Sequence, residues 1–332
     1  MRWFWIVFLW MMVSCATPVE QDGCVSANDG VCDELSVCPL GTDATDCLTA
    51  CSQDVFEWPL VGVCAHYEAR EHGDMVSALE DADPSDGEGG LAGTWDGTVT
   101  VRGANLSTEV VRHYRVYAPR KLRSDHAVPV VFALGGFTVD MYWLAEFTEL
   151  NRMADREGFI VVYGQPEWRY FGSDYVFAWY VYNQAWQGDW PDNPDLAYME
   201  SVLDDVASLY NVDFSRVYVS GHSRGAALSI IAAVERPDLF AGFGAHAGFG
   251  SVNNYNERIR NIGADLDVQG VLVHGDADPD VNVSESDQLE EALMDAGWDD
   301  SLLYYRIPKA THEWQSHLNQ DMFDFWLKRA QP

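Results

Sequence analysis

Positive charge is scarce in this sequence. Its 332 residues include 20 Lys or Arg against 52 Asp or Glu, which gives a formal net charge of −32 at pH 7. Nucleic acids and anionic membrane surfaces bind through basic patches, so we expect neither as a partner. Between residues 16 and 100 lie 18 acidic residues and a single arginine, Arg70. This local excess is interpreted as a solubility feature, with a cationic partner as the alternative.

Long apolar runs are also missing. The run at residues 3–13 is too short to span a membrane, and with Arg2 before it the segment has the layout of a secretory signal. Met12-Val13-Ser14-Cys15 resembles a bacterial lipobox, in which the cysteine becomes the lipidated first residue. The alternative is simple cleavage near Ser14 or Ala16. Residues 1–15 therefore predict export, either as an outer-membrane or cell-surface lipoprotein anchored through Cys15 or as a secreted protein.

Cysteine is absent from the last 268 residues and is crowded into residues 16–66. Beyond Cys15 the cysteines are Cys24, Cys32, Cys38, Cys47, Cys51 and Cys64. An even, clustered set in an exported chain predicts three disulfides, whose pairing the sequence leaves open. The acidic segments between them resemble a calcium-binding Notch-type repeat. By that resemblance the Ca²⁺ ligands are Asn28, Asp29, Asp33, Asp43 and Asp46. A metal-free spacer is the alternative. Residues 67–98 are acidic and small, which predicts a flexible linker.

Residues 99–332 alternate between strand-like and helix-like patterns. This predicts an α/β fold with a mostly parallel sheet flanked by helices, the catalytic domain of the chain. The predicted strands cover residues 110–118, 128–134, 159–163, 216–220, 240–249, 270–274 and 302–307. The predicted helices cover residues 144–157, 195–210, 226–234, 284–296 and 317–328. Residues 167–194 are rich in aromatics without a clear period, which predicts either core packing under a loop or a wall of the substrate cleft.

One predicted strand runs directly into Gly221-His222-Ser223-Arg224-Gly225, a G-x-S-x-G element followed by an apolar helix. In this context the element forms a tight strand-to-helix turn that exposes the serine Oγ. The glycines leave room where strand and helix meet. His222 is expected to point away from the site. Ser223 is therefore the candidate nucleophile.

Two further side chains follow later strands. Asp276, Asp278 and Asp280 come after the predicted strand at 270–274, and the H-G-x-x-D pattern selects Asp278. His312 follows the last predicted strand. The order Ser223, Asp278, His312 is the order in which hydrolases of the α/β type place nucleophile, acid and base. These three residues are the predicted catalytic triad.

The loop Gly135-Gly136-Phe137-Thr138 follows the predicted strand at 128–134. In this position the loop supplies a backbone N–H to the oxyanion hole, here that of Phe137. For substrate contacts we expect Trp179 and Trp186 from the aromatic stretch, together with Trp314 beside His312.

Residues 111–326 resemble the secreted feruloyl esterase, acetylxylan esterase and polyhydroxybutyrate depolymerase group. The resemblance rests on residues 136–138, 213–223, 237–242, 274–278 and 312–314. It implies a serine esterase in which Ser223 attacks, His312 is the base, Asp278 orients His312, and the N–H groups of Phe137 and Arg224 hold the oxyanion. Gly135, where many relatives have His, and Arg224, where small residues are common, depart from the pattern, as does the lack of cysteine in this domain.

The resemblance implies carboxylic ester substrates: feruloyl or acetyl esters of polysaccharides, or hydroxyalkanoate polyesters. No cofactor is expected for catalysis. A peptidase or lipase on the same fold is an alternative, although the segment between Ser223 and Asp278 is short for a lipase lid. A binding or adhesion lipoprotein with an inert hydrolase domain is the non-enzymatic alternative. The oligomeric state stays open.

Overall fold

The computed structural model describes residues 83–87, 89–104, 108–171, 174–182, 189–250, 255–262, 266 and 268–327. The predicted signal peptide, the lipidation site, the cysteine block, its calcium ligands and most of the predicted linker lie outside these residues. Within the described residues, no helix is both long enough and apolar enough to cross a membrane.

An eight-stranded sheet forms the centre of the described residues, in the order β1-β2-β4-β3-β7-β8-β9-β10. Only β2 runs against its neighbours; every other pair in this sheet is parallel. The strands are β1 (Gly93–Arg102), β2 (Glu109–Ala118), β3 (Val128–Leu134), β4 (Ile160–Gly164), β7 (Val212–His222), β8 (Gly242–His246), β9 (Gln269–Gly275) and β10 (Leu302–Ile307). A separate antiparallel hairpin consists of β5 (Glu167–Phe171) and β6 (Asp174–Ala178).

Helices connect the parallel strands. They are α1 (Met141–Phe147), α2 (Leu150–Glu157), α3 (Pro194–Leu209), α4 (Arg224–Glu235), α5 (Tyr255–Ile262), α6 (Ser284–Asp295) and α7 (Asn319–Leu327). Short 3₁₀ turns at Trp190–Asp192 and Ser316–Leu318 precede α3 and α7. The predicted α/β architecture is thus confirmed.

Both faces of the sheet are buried. In β3, Val130 and Phe132 pack into one apolar cluster, whereas Val131 and Ala133 pack into the other. All seven residues of this strand are buried, which explains why its sequence is continuously apolar and does not alternate. The helices on both faces leave the carboxyl ends of the parallel strands as the accessible edge, the place where such sheets bind ligands.

The chain joins the sheet earlier than the sequence predicts. The structure places β1 at Gly93–Arg102, of which the first six residues were assigned to the linker. Farther upstream, the backbone N–H of Ser85 donates to the Val212 carbonyl at 2.8 Å, and Pro84 forms a bridge with Asp213. The acidic composition of this segment gave no sign of the packing. The contacts are made by backbone atoms and by the Ser85 hydroxyl, so they do not depend on apolar side chains.

Three local predictions were wrong. The single helix predicted at residues 144–157 is two helices, α1 and α2, because Glu149 adopts a left-handed conformation with φ 56° between them. The stretch expected to be irregular contains the β5–β6 hairpin, in which Trp168 pairs with Phe177. The final predicted helix also begins later, since His317 lies in a 3₁₀ turn.

Candidate active site

Ser223 lies in a strained turn between β7 and α4. Its φ of 55° and ψ of −115° fall in a region that costs a non-glycine residue about 1–3 kcal/mol. The surrounding backbone holds it there: the Ser223 N–H donates to the His246 carbonyl at 2.8 Å, and the Ser223 carbonyl accepts from Ala227 N–H at 3.1 Å. Strain that is maintained by neighbouring hydrogen bonds is a feature of functional sites.

The two glycines of this turn have no room for a side chain. A Cβ on Gly221 would lie 2.2 Å from the carbonyl group of Gly225, and a Cβ on Gly225 would lie 2.1 Å from the carbonyl oxygen of Leu134. Strand β7, helix α4 and the end of β3 therefore meet in direct backbone contact. This close packing explains why the sequence needs glycine on both sides of Ser223.

Asp278 and His312 form a hydrogen-bonded pair after β9 and β10. His312 Nδ1 lies 2.7 Å from Asp278 Oδ2, while Asp278 Oδ1 accepts from the backbone N–H groups of Asp280 at 2.8 Å and Val281 at 2.9 Å. Burial raises the pKa of Asp278, but the hydrogen bonds from Val281, His312 and Asp280 outweigh it, so the pKa lies below its ordinary value. The carboxylate is ionised at neutral pH and orients the His312 ring.

A second histidine contacts the same carboxylate. His274 Nε2 lies 3.3 Å from Asp278 Oδ2 and 3.0 Å from the Val281 carbonyl oxygen, and its Nδ1 lies 2.6 Å from Ser286 Oγ. Because a carbonyl can only accept, Nε2 carries a hydrogen. His274 is buried on all sides. Sequence reasoning did not single it out, although it is the histidine of the H-G-x-x-D pattern that selected Asp278.

His222, the residue before Ser223, contacts the ring of His312. Its ring centroid lies 4.8 Å from that of His312 and 6.2 Å from that of Phe147. The expectation that His222 points away from the site was therefore wrong. Burial and the neighbouring positive charge of His312 lower the pKa of His222 to about 4, so the His222 ring is uncharged at neutral pH.

The loop after β3 lies against Ser223. A Cβ on Gly136 would lie 3.2 Å from the Ser223 Cβ and 3.3 Å from His222 Nδ1. The loop is fixed from its other side, because Thr138 N–H donates to the Phe177 carbonyl at 2.9 Å and Trp179 Nε1 donates to the Gly135 carbonyl at 2.8 Å. The predicted oxyanion loop is thus held rigidly next to the candidate nucleophile.

The two residues predicted to supply oxyanion N–H groups are neighbours. The guanidinium carbon of Arg224 lies 4.8 Å from the ring centroid of Phe137 and 5.4 Å from that of Tyr182. Arg224 is buried, whereas Phe137 is partly exposed. Cation–π contact of this kind fixes the first turn of α4 against the loop.

The predicted substrate-binding tryptophans lie elsewhere. Trp179 is fully buried, and its indole supports the loop at Gly135 without reaching the cleft. Trp314 is also buried; its ring stacks on His246 at 3.9 Å, and its Nε1 donates to Asn319 Oδ1 at 2.9 Å. Both predictions are corrected: these side chains pack in the core. Trp186 lies outside the described residues.

Potential metal ligands converge at one point among the residues described: Asp278, Asp280 and His312. Two of these already bond to each other at 2.7 Å, and Asp278 Oδ1 accepts two backbone N–H groups. A cation would have to displace these bonds. The arrangement instead fits an acid–base pair beside a nucleophile.

The chain is similar to a family of esterases. Residues 113–264 match the family model described as Esterase PHB depolymerase, a segment that includes Ser223 and ends before Asp278 and His312. The chain is 32% identical over 147 residues to acetylxylan esterase A of Emericella nidulans, covering 43% of this chain and 44% of that relative. It is 29% identical over 135 residues to feruloyl esterase B of Talaromyces funiculosus, covering 40% and 35% respectively. The matched segment thus spans less than half of each of these relatives.

Solved structures show the fold. An acetyl xylan esterase from Aspergillus awamori superposes with a TM-score of 0.52 at 18% identity. The superposition covers 70% of this chain and 99% of that chain. A structure described as a ferulic acid esterase gives a TM-score of 0.53 at 17% identity. The sheet order, the strained serine turn and these similarities together identify the chain as having an α/β-hydrolase fold.

Proposed function

We propose that the protein is an exported serine esterase that hydrolyses carboxylic esters through Ser223, His312 and Asp278. The observation that carries the proposal is the convergence at the carboxyl edge of the sheet: a serine in a strained turn, a rigid glycine loop against it, and a His–carboxylate pair 2.7 Å apart. The signal-like residues 1–15 support export, with lipidation at Cys15 as part of the proposal.

In the proposed mechanism, His312 takes the proton of Ser223 as Oγ attacks the ester carbonyl carbon. The carbonyl oxygen becomes an oxyanion held by the backbone N–H groups of Phe137 and Arg224, each worth about 3 kcal/mol. The ionised Asp278 fixes the His312 tautomer and stabilises the imidazolium. His312 then protonates the leaving alcohol as the C–O bond breaks, which leaves an acyl-serine.

Water completes the cycle. His312 takes a proton from a water molecule that attacks the acyl carbon, and the oxyanion forms again in the same place. Collapse of this intermediate breaks the bond to Ser223 and releases the acid, while His312 returns the proton to Oγ. No step requires a metal or an organic cofactor. A structural Ca²⁺ in the cysteine-rich segment remains a separate proposal.

The proposed substrates are acetyl or feruloyl esters of polysaccharides, or hydroxyalkanoate polyesters. The matches to proteins named acetylxylan esterase and feruloyl esterase, and to the depolymerase family model, support this class. A peptidase is the second candidate, because a dipeptidyl aminopeptidase structure shares the fold at a TM-score of 0.53. Among the described residues between Ser223 and Asp278, α4, β8, α5 and β9 account for most of the length, which argues against a large lipase-type lid in this segment.

The test is a panel of p-nitrophenyl acetate, methyl ferulate, acetylated xylan, a hydroxybutyrate polyester and a peptide anilide. The wild-type protein should hydrolyse esters and not the anilide, and Ser223→Ala should lose ester hydrolysis while keeping its fold. Ser208→Ala, which removes an exposed hydroxyl on α3, is the matched control and should keep full activity. A folded wild-type protein that cleaves no ester, or one whose activity survives in Ser223→Ala, contradicts the proposal.

A further inference from the structure

Two large aromatic side chains are displayed on the outer face of the β5–β6 hairpin. Trp168 is 57% exposed and Tyr175 is 61% exposed. Their ring centroids lie 6.4 Å apart with only 15° between the ring planes. Phe177, which lies opposite Trp168 on the same face of the hairpin, is partly buried and packs edge-on against Trp168 with 4.7 Å between the ring centroids. We call this pair, Trp168 and Tyr175, the aromatic platform.

The platform is attached directly to the candidate active site. The Phe177 carbonyl, from the residue paired with Trp168, accepts a hydrogen bond from Thr138 N–H at 2.9 Å. Thr138 follows Phe137 in the loop that lies against Ser223. Directly after β6, Trp179 bonds the same loop at Gly135. The hairpin and the oxyanion loop are therefore one connected unit, and a ligand held on the platform is held relative to Ser223.

The chemistry of the platform favours a neutral, flat-sided ligand. The cationic side chain of this hairpin, Arg169, is occupied on the opposite face, where its guanidinium lies 3.6 Å from the ring centroid of Tyr180. The chain as a whole carries a net charge of −32, which repels anionic polymers. Trp and Tyr combine an apolar ring face with an N–H or O–H group at the ring edge. They therefore suit ligands that have one apolar face and hydrated polar groups at their edges.

A pyranose ring has this character, because one of its faces carries C–H bonds while its hydroxyl groups point outward. From the parallel exposed rings and their connection to the loop, we infer that Trp168 and Tyr175 form a stacking subsite for a neutral polysaccharide that carries the scissile ester. The inference rests on the proposed esterase function, and it names the glycan as the alcohol side of the substrate. Neither residue was among the substrate contacts predicted from the sequence.

Binding is tested separately from hydrolysis in the Ser223→Ala protein. Its binding to insoluble acetylated xylan is measured by depletion, with and without Trp168→Ala and Tyr175→Ala together. Losing both rings should weaken binding about tenfold, as expected for two stacking contacts. Tyr142→Ala is the matched control, since Tyr142 is 44% exposed on α1 and packs over Arg115; this variant should bind as the parent does. Trp168→Phe, which keeps an aromatic face, should keep most of the binding.

The active enzyme gives a second readout. In the double variant, the ratio of kcat/KM for acetylated xylan to that for p-nitrophenyl acetate should fall about tenfold. Equal binding of xylan with and without the platform overturns the inference, even if the esterase function holds. Loss of binding to hydroxybutyrate polyester but not to xylan overturns the sugar assignment. If binding to xylan requires the platform but no ester is hydrolysed, the subsite stands and the proposed function fails.

Discussion

At the carboxyl edge of the sheet, Asp278 is a buried carboxylate with contacts to two histidines and two backbone N–H groups. On the β5–β6 hairpin, Trp168 and Tyr175 are more than half exposed and lie on regular antiparallel strands. The first region buries polar groups and stores backbone strain at Ser223; the second exposes apolar rings at no cost in backbone geometry. Substitutions at the carboxyl edge should therefore lower stability or the rate of catalysis, whereas substitutions on the hairpin should change which substrate the protein binds.

The largest effect on stability is expected at the close backbone contact behind Ser223. Gly225→Ala would place a Cβ 2.1 Å from the Leu134 carbonyl oxygen and 2.5 Å from that of Gly135. Neither backbone segment can move without displacing the loop and the helix, so the free energy of unfolding should fall by at least about 3 kcal/mol. Urea denaturation measures this fall. Gly103→Ala, whose closest contact is the Thr108 hydroxyl at 3.2 Å, is the control and should lose far less. Similar stability of the two variants contradicts the packing described here.

The next effect is on catalysis. Asp278→Asn should lower kcat on p-nitrophenyl acetate about 10⁴-fold with the fold retained, because the amide no longer fixes the reactive tautomer of His312. Steady-state kinetics with circular dichroism measure both properties. Asp276→Asn and Asp280→Asn are matched controls, since neither side chain is bonded to His312 in the structure. If either control loses as much activity as Asp278→Asn, the assignment of the acid is wrong.

His274 should have a smaller catalytic effect. Its loss removes the hydrogen bond to the Val281 carbonyl and the 3.3 Å contact to the Asp278 carboxylate; a hydrogen bond between neutral groups is worth about 0.5–1.5 kcal/mol, or roughly two- to tenfold in rate. We expect His274→Asn to lower kcat within this range and to leave KM close to the wild-type value, since His274 is remote from solvent. Ser286→Ala, which removes only the partner of Nδ1, should lower kcat less. An unchanged kcat in His274→Asn shows that Asp278 needs no second histidine.

The pH dependence of stability should report His222. Its pKa falls from 6.5 to about 4 on folding, so between these values the unfolded chain binds more protons than the folded protein. Stability must therefore rise as pH rises from 4 to 6.5, by up to about 3 kcal/mol from this residue. His222→Phe should flatten that rise. Burial also lowers the pKa of His246 from 6.5, so this residue should keep part of the rise in the variant. An equal slope in the variant and the wild type contradicts the buried neutral state of His222.

The sequence predicted the features that depend on a single strand. Val128–Leu134 has the bounds that its apolar pattern indicates, because a strand buried on both faces leaves a continuous apolar run. Leu302–Ile307 also has its predicted bounds, although it is a half-buried strand at the edge of the sheet. A predicted strand precedes each of the three triad residues, Ser223, Asp278 and His312. Because these strands are parallel, the three residues were expected at the same edge of the sheet. The His312–Asp278 bond could be anticipated from that placement, although its 2.7 Å length could not.

Features that depend on tertiary contacts were missed. The helix break at Glu149 carries no glycine or proline, so the sequence around it gives no signal for its left-handed backbone. Trp179 and Trp314 were assigned to the cleft because aromatic residues suit both cores and binding walls, and composition alone does not separate the two. The available signal for the hairpin was aromatic residues at every second position, in Trp168-Arg169-Tyr170 and in Tyr175-Val176-Phe177.

The central claim is that Ser223 is an activated nucleophile, and covalent labelling tests it most directly. A fluorophosphonate reagent should form one adduct per chain, and peptide mass mapping should place it on Ser223. Labelling should be lost in Ser223→Ala and strongly slowed in Asp278→Asn, because His312 would no longer be oriented to take the proton. A folded wild-type protein that stays unlabelled, or an adduct on another serine, contradicts the account.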